Sequence, residues 1–507
     1  MLGTRGGTRR RAARTAAAAA AALALGYAIL LVPDGPPALP PDAGAADARP
    51  FAWQQDAYWE TLEAGYAAAR GGGCEEAGAG AAAALRELAA RVDALERAPH
   101  GPDAPAVAEV ERRVFGAAVL VAACPGLLPE AVALVARLRD ALKRQSERWA
   151  PGDRRAREAL YRVLYGSRAA IEEAMLQAPP AAVPALARGR DEPSAAPSAT
   201  LHGVTIHSGD VLLSRGGAPT SALIARGNDF PGNFSHVALV HVEEGTGRVR
   251  LVEAHIERGV AISTPAEYLG DRKLRVMVLR PRADLPAIAA DPMLPHRAAE
   301  AALARAEAGP IAYDFSMDAQ DPTRLFCSEV AAQAYRALGV GLWPAPSRIS
   351  APGLRRWLAA LGVRHFETLE PSDLEYDPQL RVVAEWRDPE ALREDHLDNA
   401  VTDAMLDAAA AGAPLRHSAW ALPVARVAKG WSVVLNAAGE VGPVPQGMSA
   451  TAALKSRRYA SLHDAVRGRV EARAAEHLAA RGYPPPYWRL VGFAREELAA
   501  SGALEAR

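Results

Sequence analysis

Hydrophobic positions change period twice along this chain. From Phe51 to Gln177 they recur at helical spacing: Trp59, Leu62 and Tyr66; Leu85, Leu88, Val92 and Leu95; Val107, Val110, Val114 and Val121; Leu160, Leu164, Ile171 and Met175. That spacing puts each set on one helix face and predicts a helical bundle over 51–177. Pro129 suits the first turn of a helix running to Trp149. Further on the period shortens. Val211–Leu213, Val237–Val242, Val249–Ala254, Val260–Ser263 and Leu274–Arg280 are compact apolar runs bounded by turn residues, and they read as strands. Glu-Glu-Gly-Thr-Gly between the second and third predicts a hairpin. Pro295–Ala308 returns to helix. From Cys327, residues Val330, Ala331, Ala334, Tyr335 and Leu338 trace the apolar face of another helix, with turn chemistry at Asp321-Pro322-Thr323 just before it. Beyond Ser350 the pattern is helical over Pro389–Ala411, Ala453–Ala480 and Trp488–Ala500, with Trp431–Leu435 reading as a short strand before a turn at Asn436–Gly439.

The expected fold class is α+β: an antiparallel sheet packed on the Cys327 helix, flanked by helical N- and C-terminal regions. The expected boundaries are 1–34 for an anchor or signal segment, 35–50 for a linker, 51–177 for the bundle, 178–200 for a second linker, 201–350 for the central sheet-bearing domain and 351–507 for a helical extension. The Gly-, Pro- and Asn-rich stretch Ser214–Phe234 reads as a flexible connection ahead of His236, with part of a substrate wall as the alternative.

The first segment has its own signature. Arg5, Arg9, Arg10, Arg11 and Arg14 precede an uncharged apolar run from Thr15 to Val32, which ends at Pro33. The run is just long enough to span a bilayer, and its basic flank is expected on the cytoplasmic side, with the rest exported. Three readings stand: an uncleaved anchor in a bacterial inner membrane with periplasmic main domains, a secretory signal cleaved near Ala43-Gly44-Ala45, or an ordinary or otherwise targeted helix.

Composition narrows the function. The chain has 507 residues, half of them hydrophobic, and a net charge of −1. That allows several cores and offers no basic surplus for nucleic-acid binding. Of the three cysteines, Cys74 and Cys124 lie near apparent helix ends in the bundle. In an oxidising compartment these two could pair, leaving Cys327 alone; the other reading has all three free.

The chemistry gathers around Cys327. A cysteine in the first turn of a helix meets unpaired N–H groups and the positive dipole end, which favour a thiolate. His236 opens a strand after Ser235. Glu253 and His255 share a face of the neighbouring strand, so either could orient an imidazole, and parity does not choose between them. A cysteine hydrolase needs such a base and such a third group. His207, His236, His241 and His255 lie near one another in sequence, but without i, i+4 helical spacing or a Cys-x-x-Cys pair, so no metal or other cofactor is expected.

Gly209-Asp210-Val211, Ser235-His236-Val237, Val252-Glu253-Ala254, Tyr313-Asp314 and Phe326-Cys327-Ser328-Glu329 together resemble the permuted papain-like hydrolases of the YiiX/YaeF type, within the wider NlpC-like superfamily. The resemblance runs over about 205–345. It implies Cys327 as nucleophile, His236 as base and Glu253, over His255, as third member. It also points to an electrophilic or substrate-positioning role for Tyr313, whose other reading is a packed aromatic before a turn. The implied activity is amidase- or peptidase-like hydrolysis; the alternatives are lipid acyl hydrolysis or transfer, and a non-catalytic binding protein that retains the pocket. The implied partners are peptide, amino-acyl or acyl-lipid substrates; the apolar N-terminal run separately makes the membrane an expected partner.

Overall fold

The computed structural model describes residues 5–32, 34 and 49–502. Most of the expected linker 35–50, including the candidate cleavage site Ala43-Gly44-Ala45, lies outside the described residues.

An N-terminal helix, Arg5–Leu31, carries an apolar span over Ala13–Leu31 that is 0% buried and long enough to cross a membrane. The bundle follows: Asp56–Arg97, Pro105–Ala123, Leu128–Ser146 and Gly166–Gln177. Its predicted stripes, among them Leu88, Val92, Val110 and Leu164, face its core. Gly73, at φ 69°, kinks the first of these helices. There Cys74 is bonded to Cys124, with Cα atoms 4.9 Å apart.

A seven-stranded antiparallel sheet forms the centre. Its strands are β1 Leu186–Arg188, β2 Val211–Gly216, β3 His236–Val242, β4 Val249–His255, β5 Gly259–Ser263, β6 Lys273–Pro281 and β7 Leu380–Trp386. The spatial order is β1-β7-β6-β2-β3-β4-β5. The sheet therefore reaches beyond 201–350: β7 covers the free edge of β6, and β1 covers β7. An uncovered β6 would expose a row of unpaired backbone groups. The alternation of β7 is hidden in the sequence because Arg381 and Glu385 are buried.

The two faces of the sheet carry different cores. Val211, Leu213, Val237, Leu239, Val252, Ala254, Met277 and Leu279 pack with the helices Leu294–Ala308 and Cys327–Arg336. Leu212, Ala238, Val240, Leu251, Val276 and Val278 pack against a small hairpin, Ser198–Leu201 and Val204–His207. Gly209, at φ 95°, lets the chain turn into β2, and an added Cβ there would collide with Pro295. Asp210 takes Arg280 through both carboxylate oxygens, each at 2.9 Å. The Gly-Asp-Val motif thus holds the sheet together.

Buried ion pairs lock the helical regions to the sheet. Arg275 on β6 bonds Glu172 of the bundle at 2.7 Å and Asp395 of the helix Pro389–Ala410 at 2.6 Å. Arg139, Arg157 and Arg168 of the bundle pair with Glu375, Asp373 and Glu385. The C-terminal helices Pro352–Leu361, Pro389–Ala410, Ala450–Arg481 and Tyr487–Ser501 share a separate core that includes Val401, Met405, Tyr459, Val466 and Leu490.

Two expectations are corrected. Trp431–Leu435 lies within a helix, Leu422–Ala437, and is not a strand. A five-residue apolar run fits either element, and Pro423 in the first turn favours the helix. The stretch Ser214–Phe234 is not a flexible connection. It contains the helix Pro219–Arg226, and it is held by Arg226 to Asp403 at 2.7 and 2.8 Å and by the Tyr161 hydroxyl to Pro231 O at 2.6 Å.

Candidate active site

Cys327 is the first residue of its helix, following an extended Phe326 (φ −90°, ψ 170°). Glu329, in the first turn, accepts the Phe326 N–H at 3.0 Å, as an N-terminal carboxylate should. The incoming chain is fixed by Leu325 N to Ala312 O (3.1 Å) and Asp314 N to Leu325 O (3.3 Å). Asp314 braces the intervening loop by accepting from Ser316 N at 2.9 Å and Asp318 N at 2.6 Å. The pairing sets Tyr313 beside the start of the helix, in the same core as Cys327.

The Cys327 thiol is buried and donates to Ser235 O at 3.9 Å. Burial pushes its pKa up to about 12, although the Val237 N–H and Ser328 pull it back. Burial thus works against the thiolate that a helix N-terminus favours. Desolvation outweighs the helix N-terminus at this depth.

His236 opens β3, and its Nε2 lies 2.6 Å from Glu253 Oε2. The other oxygen of Glu253 accepts the Ser263 hydroxyl at 2.5 Å and lies 3.2 Å from His255 Nε2. Register explains the cluster: Ala238 stands opposite Glu253, and Glu253 opposite Ala261, so β3, β4 and β5 bring these groups together. Burial works against the Glu253 carboxylate, but His236 and His255 outweigh it and hold the group well below the usual carboxylate range. An ionised carboxylate only accepts, so the His236 hydrogen sits on Nε2 and Nδ1 keeps a lone pair. Burial also lowers the pKa of His236, with Glu253 pulling the other way, and the ring is neutral near pH 7.

The structure thus joins His236 to Glu253 directly, and meets Cys327 through the backbone at the root of β3. By alternation, His236 and Glu253 lie on the Ala238 and Leu251 face, whereas the Cys327 helix packs on the Val237 and Leu239 face. Among the described residues no hydrogen bond links Sγ to the imidazole.

Tyr313 is buried, its ring edge-on to Phe315 at 5.1 Å. Burial, then Cys327 and Glu370, raise its phenol. Glu370 is a group that sequence reasoning missed. It is buried, its Oε2 has no hydrogen-bond partner, and burial holds it well above the ordinary carboxylate range. No motif marks it. Two residues on, the Ser372 hydroxyl accepts Phe234 N at 3.0 Å and donates to Phe234 O at 3.1 Å, which braces the approach to His236. Ser263 was also missed, because it becomes visible only once the register of β4 and β5 is known. Among the described residues, no group of three or more His, Cys, Asp or Glu is placed to hold a metal ion.

Residues 205–384 match the family model described as permuted papain-like amidase enzyme, YaeF/YiiX, C92 family. The resemblance read from the short motifs is borne out, and the match extends past 350 to take in most of β7. A solved structure, described as metalloprotein yiiX from Escherichia coli O157:H7, is similar at 20% identity, covering 36% of this chain and 97% of that one, with a TM-score of 0.28. Among curated proteins there is no match. The mixed helix and antiparallel sheet agree with a permuted papain-like domain flanked by helical regions, and the family supports a cysteine hydrolase.

Proposed function

We propose that the chain is an exported, membrane-anchored cysteine hydrolase that cleaves amide bonds in short peptide or amino-acyl substrates, cell-wall peptides among them. The observation that carries the reading is the His236–Glu253 pair at the root of the strand whose backbone meets the Cys327 sulfur. Cys327 is the nucleophile. As its sulfur attacks the carbonyl carbon, His236 Nδ1 takes the thiol proton and later delivers it to the leaving amine. Glu253 keeps the ring in the tautomer this needs. Proton transfer requires the imidazole and the thiol to come within hydrogen-bonding reach when substrate is bound. Catalytic hydrogen bonds commonly tighten only in the bound complex. Backbone N–H groups at the start of the Cys327 helix are the donors for the oxyanion. Water then attacks the thioester with His236 again as base, releasing the acid and free thiol. Tyr313 positions the substrate.

The exported location draws support from the apolar helix behind a basic flank and from the Cys74–Cys124 bond, which suits an oxidising space. The test is to incubate full-length protein, beside Cys327→Ala and His236→Ala forms, with peptide amides and with acylated lipids. Amine release that needs both residues supports the reading. Fatty-acid release without amine release replaces it with lipid acyl hydrolysis.

A further inference from the structure

The helix Leu422–Ala437 and the turn before it carry Trp420, Val424, Val427, Trp431 and Val434. Their spacing of 4, 3, 4 and 3 residues puts all five on one narrow stripe. In a soluble fold such a stripe faces a core. Here every member is between 56% and 72% exposed, with Val433 and Val441 exposed beside it. The opposite side, Leu422 and Ala425, packs on Ala450 and Leu454 of the next helix. The helix is therefore seated by its back, and its most apolar face has no cover among the described residues.

Its position identifies the cover. The stripe is continuous with the N-terminal apolar helix. Arg426 donates to Ile29 O at 2.9 Å, which also accepts Val32 N at 3.3 Å, and to Val32 O at 2.5 Å just past the end of that helix, and it lies 3.3 Å from Asp34 Oδ1. Thr451, one residue into the helix that seats the stripe, donates to Asp34 Oδ2 at 2.7 Å. The point where the apolar span ends is thus clasped to the base of the exposed stripe. Leu23, Leu25 and Ile29 on the span are exposed as well. Two bare apolar helices meeting at one end fit one bilayer: the first crosses it, and the second lies in its surface. The second is about 24 Å long at 1.5 Å per residue. Tryptophans at positions 420 and 431 suit the headgroup boundary, where an apolar ring with one polar edge is most stable.

We infer that the helix Leu422–Ala437 is an interfacial membrane helix, with Trp420, Val424, Val427, Trp431 and Val434 buried in the lipid beside the exit of the N-terminal span. This rests on the anchored reading above. It adds a second contact that fixes how the catalytic domain is held over the membrane, where a single span would leave it to swivel. Amphipathic helices of this kind bury their apolar face some way into the headgroup and acyl boundary.

The test uses the full chain in vesicles of phosphatidylethanolamine and phosphatidylglycerol. Val427→Cys, and separately Val434→Cys, are placed in a Cys327→Ala background so that only the new thiol is free, and are labelled with a polarity-sensitive fluorophore. Flotation of the vesicles reads the anchor independently. The expected result is flotation, a blue-shifted label, roughly twofold or greater quenching by a nitroxide lipid, and little quenching by aqueous iodide. Flotation with iodide quenching and no lipid quenching overturns the inference and leaves the anchor standing. Flotation with a label protected from both quenchers also overturns it, because a second protein surface would then cover the stripe. Failure to float removes the anchored reading, and this inference with it.

Discussion

Glu253 holds the His236 ring through one carboxylate oxygen, 2.6 Å from Nε2, and takes the Ser263 hydroxyl on the other. The pair spans two neighbouring strands, so the orientation of the ring is set by sheet register. Glu253→Ala is expected to lower turnover by roughly tenfold, and His236→Ala by roughly a hundredfold or more. Glu253 raises the pKa of His236 against the lowering by burial. Removing the carboxylate should therefore also move the acid limb of the kcat/KM profile to lower pH. A purely structural role for Glu253 would leave that limb in place.

Burial, rather than activation, dominates the resting thiol. Alkylation of Cys327 by iodoacetamide should be slow near pH 7 and should rise with pH along a single ionisation approaching about 12. The sign for stability follows from the same shift. The folded pKa lies above the unfolded value of 9.0, so between pH 9 and 12 the unfolded chain loses its proton first. Folding stability from this group should fall across that window in chemical denaturation. Fast labelling at neutral pH would show a thiolate and contradict the buried arrangement.

Cys74 and Cys124 should appear as linked peptides in an unreduced map of protein isolated from the exported state, with Cys327 the free thiol. The loop closed by this bond is worth about 4 kcal/mol in the chain-entropy model, so a Cys74→Ser, Cys124→Ser protein should unfold at correspondingly lower denaturant. A map with three free thiols removes the bond.

Arg275 lies fully buried between Glu172 and Asp395, tying the bundle and the C-terminal helices to β6. Arg275→Met removes one cation from a buried cluster in which Glu172 keeps Arg387 at 3.0 Å and Asp395 keeps Arg215 at 3.2 Å, and should destabilise the protein by about 3–5 kcal/mol, read in chemical denaturation. Arg275→Lys, which keeps the charge, should cost less.

Much of the central domain was legible because its chemistry is local. Strands β2 to β6 carry compact apolar runs, and the face of the Cys327 helix repeats cleanly. The pairing of His236 with Glu253 could be narrowed by parity but not decided by it, since His255 comes to the same carboxylate. Other features depend on partners far away in sequence. β7 hides its alternation under buried Arg381 and Glu385, whose charges are met by side chains of the bundle. Glu370 and Ser372 reach the site only through the fold, with no spacing to announce them. The helix N-terminus under Cys327 is visible in sequence, whereas the depth of burial that opposes a thiolate is not. The Trp431 run misled for a similar reason: its period of 3.5 becomes clear only when Trp420 and Val424 are counted with it.

The most direct test of the account is intact-protein mass spectrometry during turnover of a peptide amide, comparing the full-length protein with its Cys327→Ala form. The account predicts amine release together with a transient acyl adduct that maps to Cys327 as a thioester, and neither in the Cys327→Ala protein. Amine release that persists undiminished in the Cys327→Ala form, with no adduct in the parent protein, would contradict it.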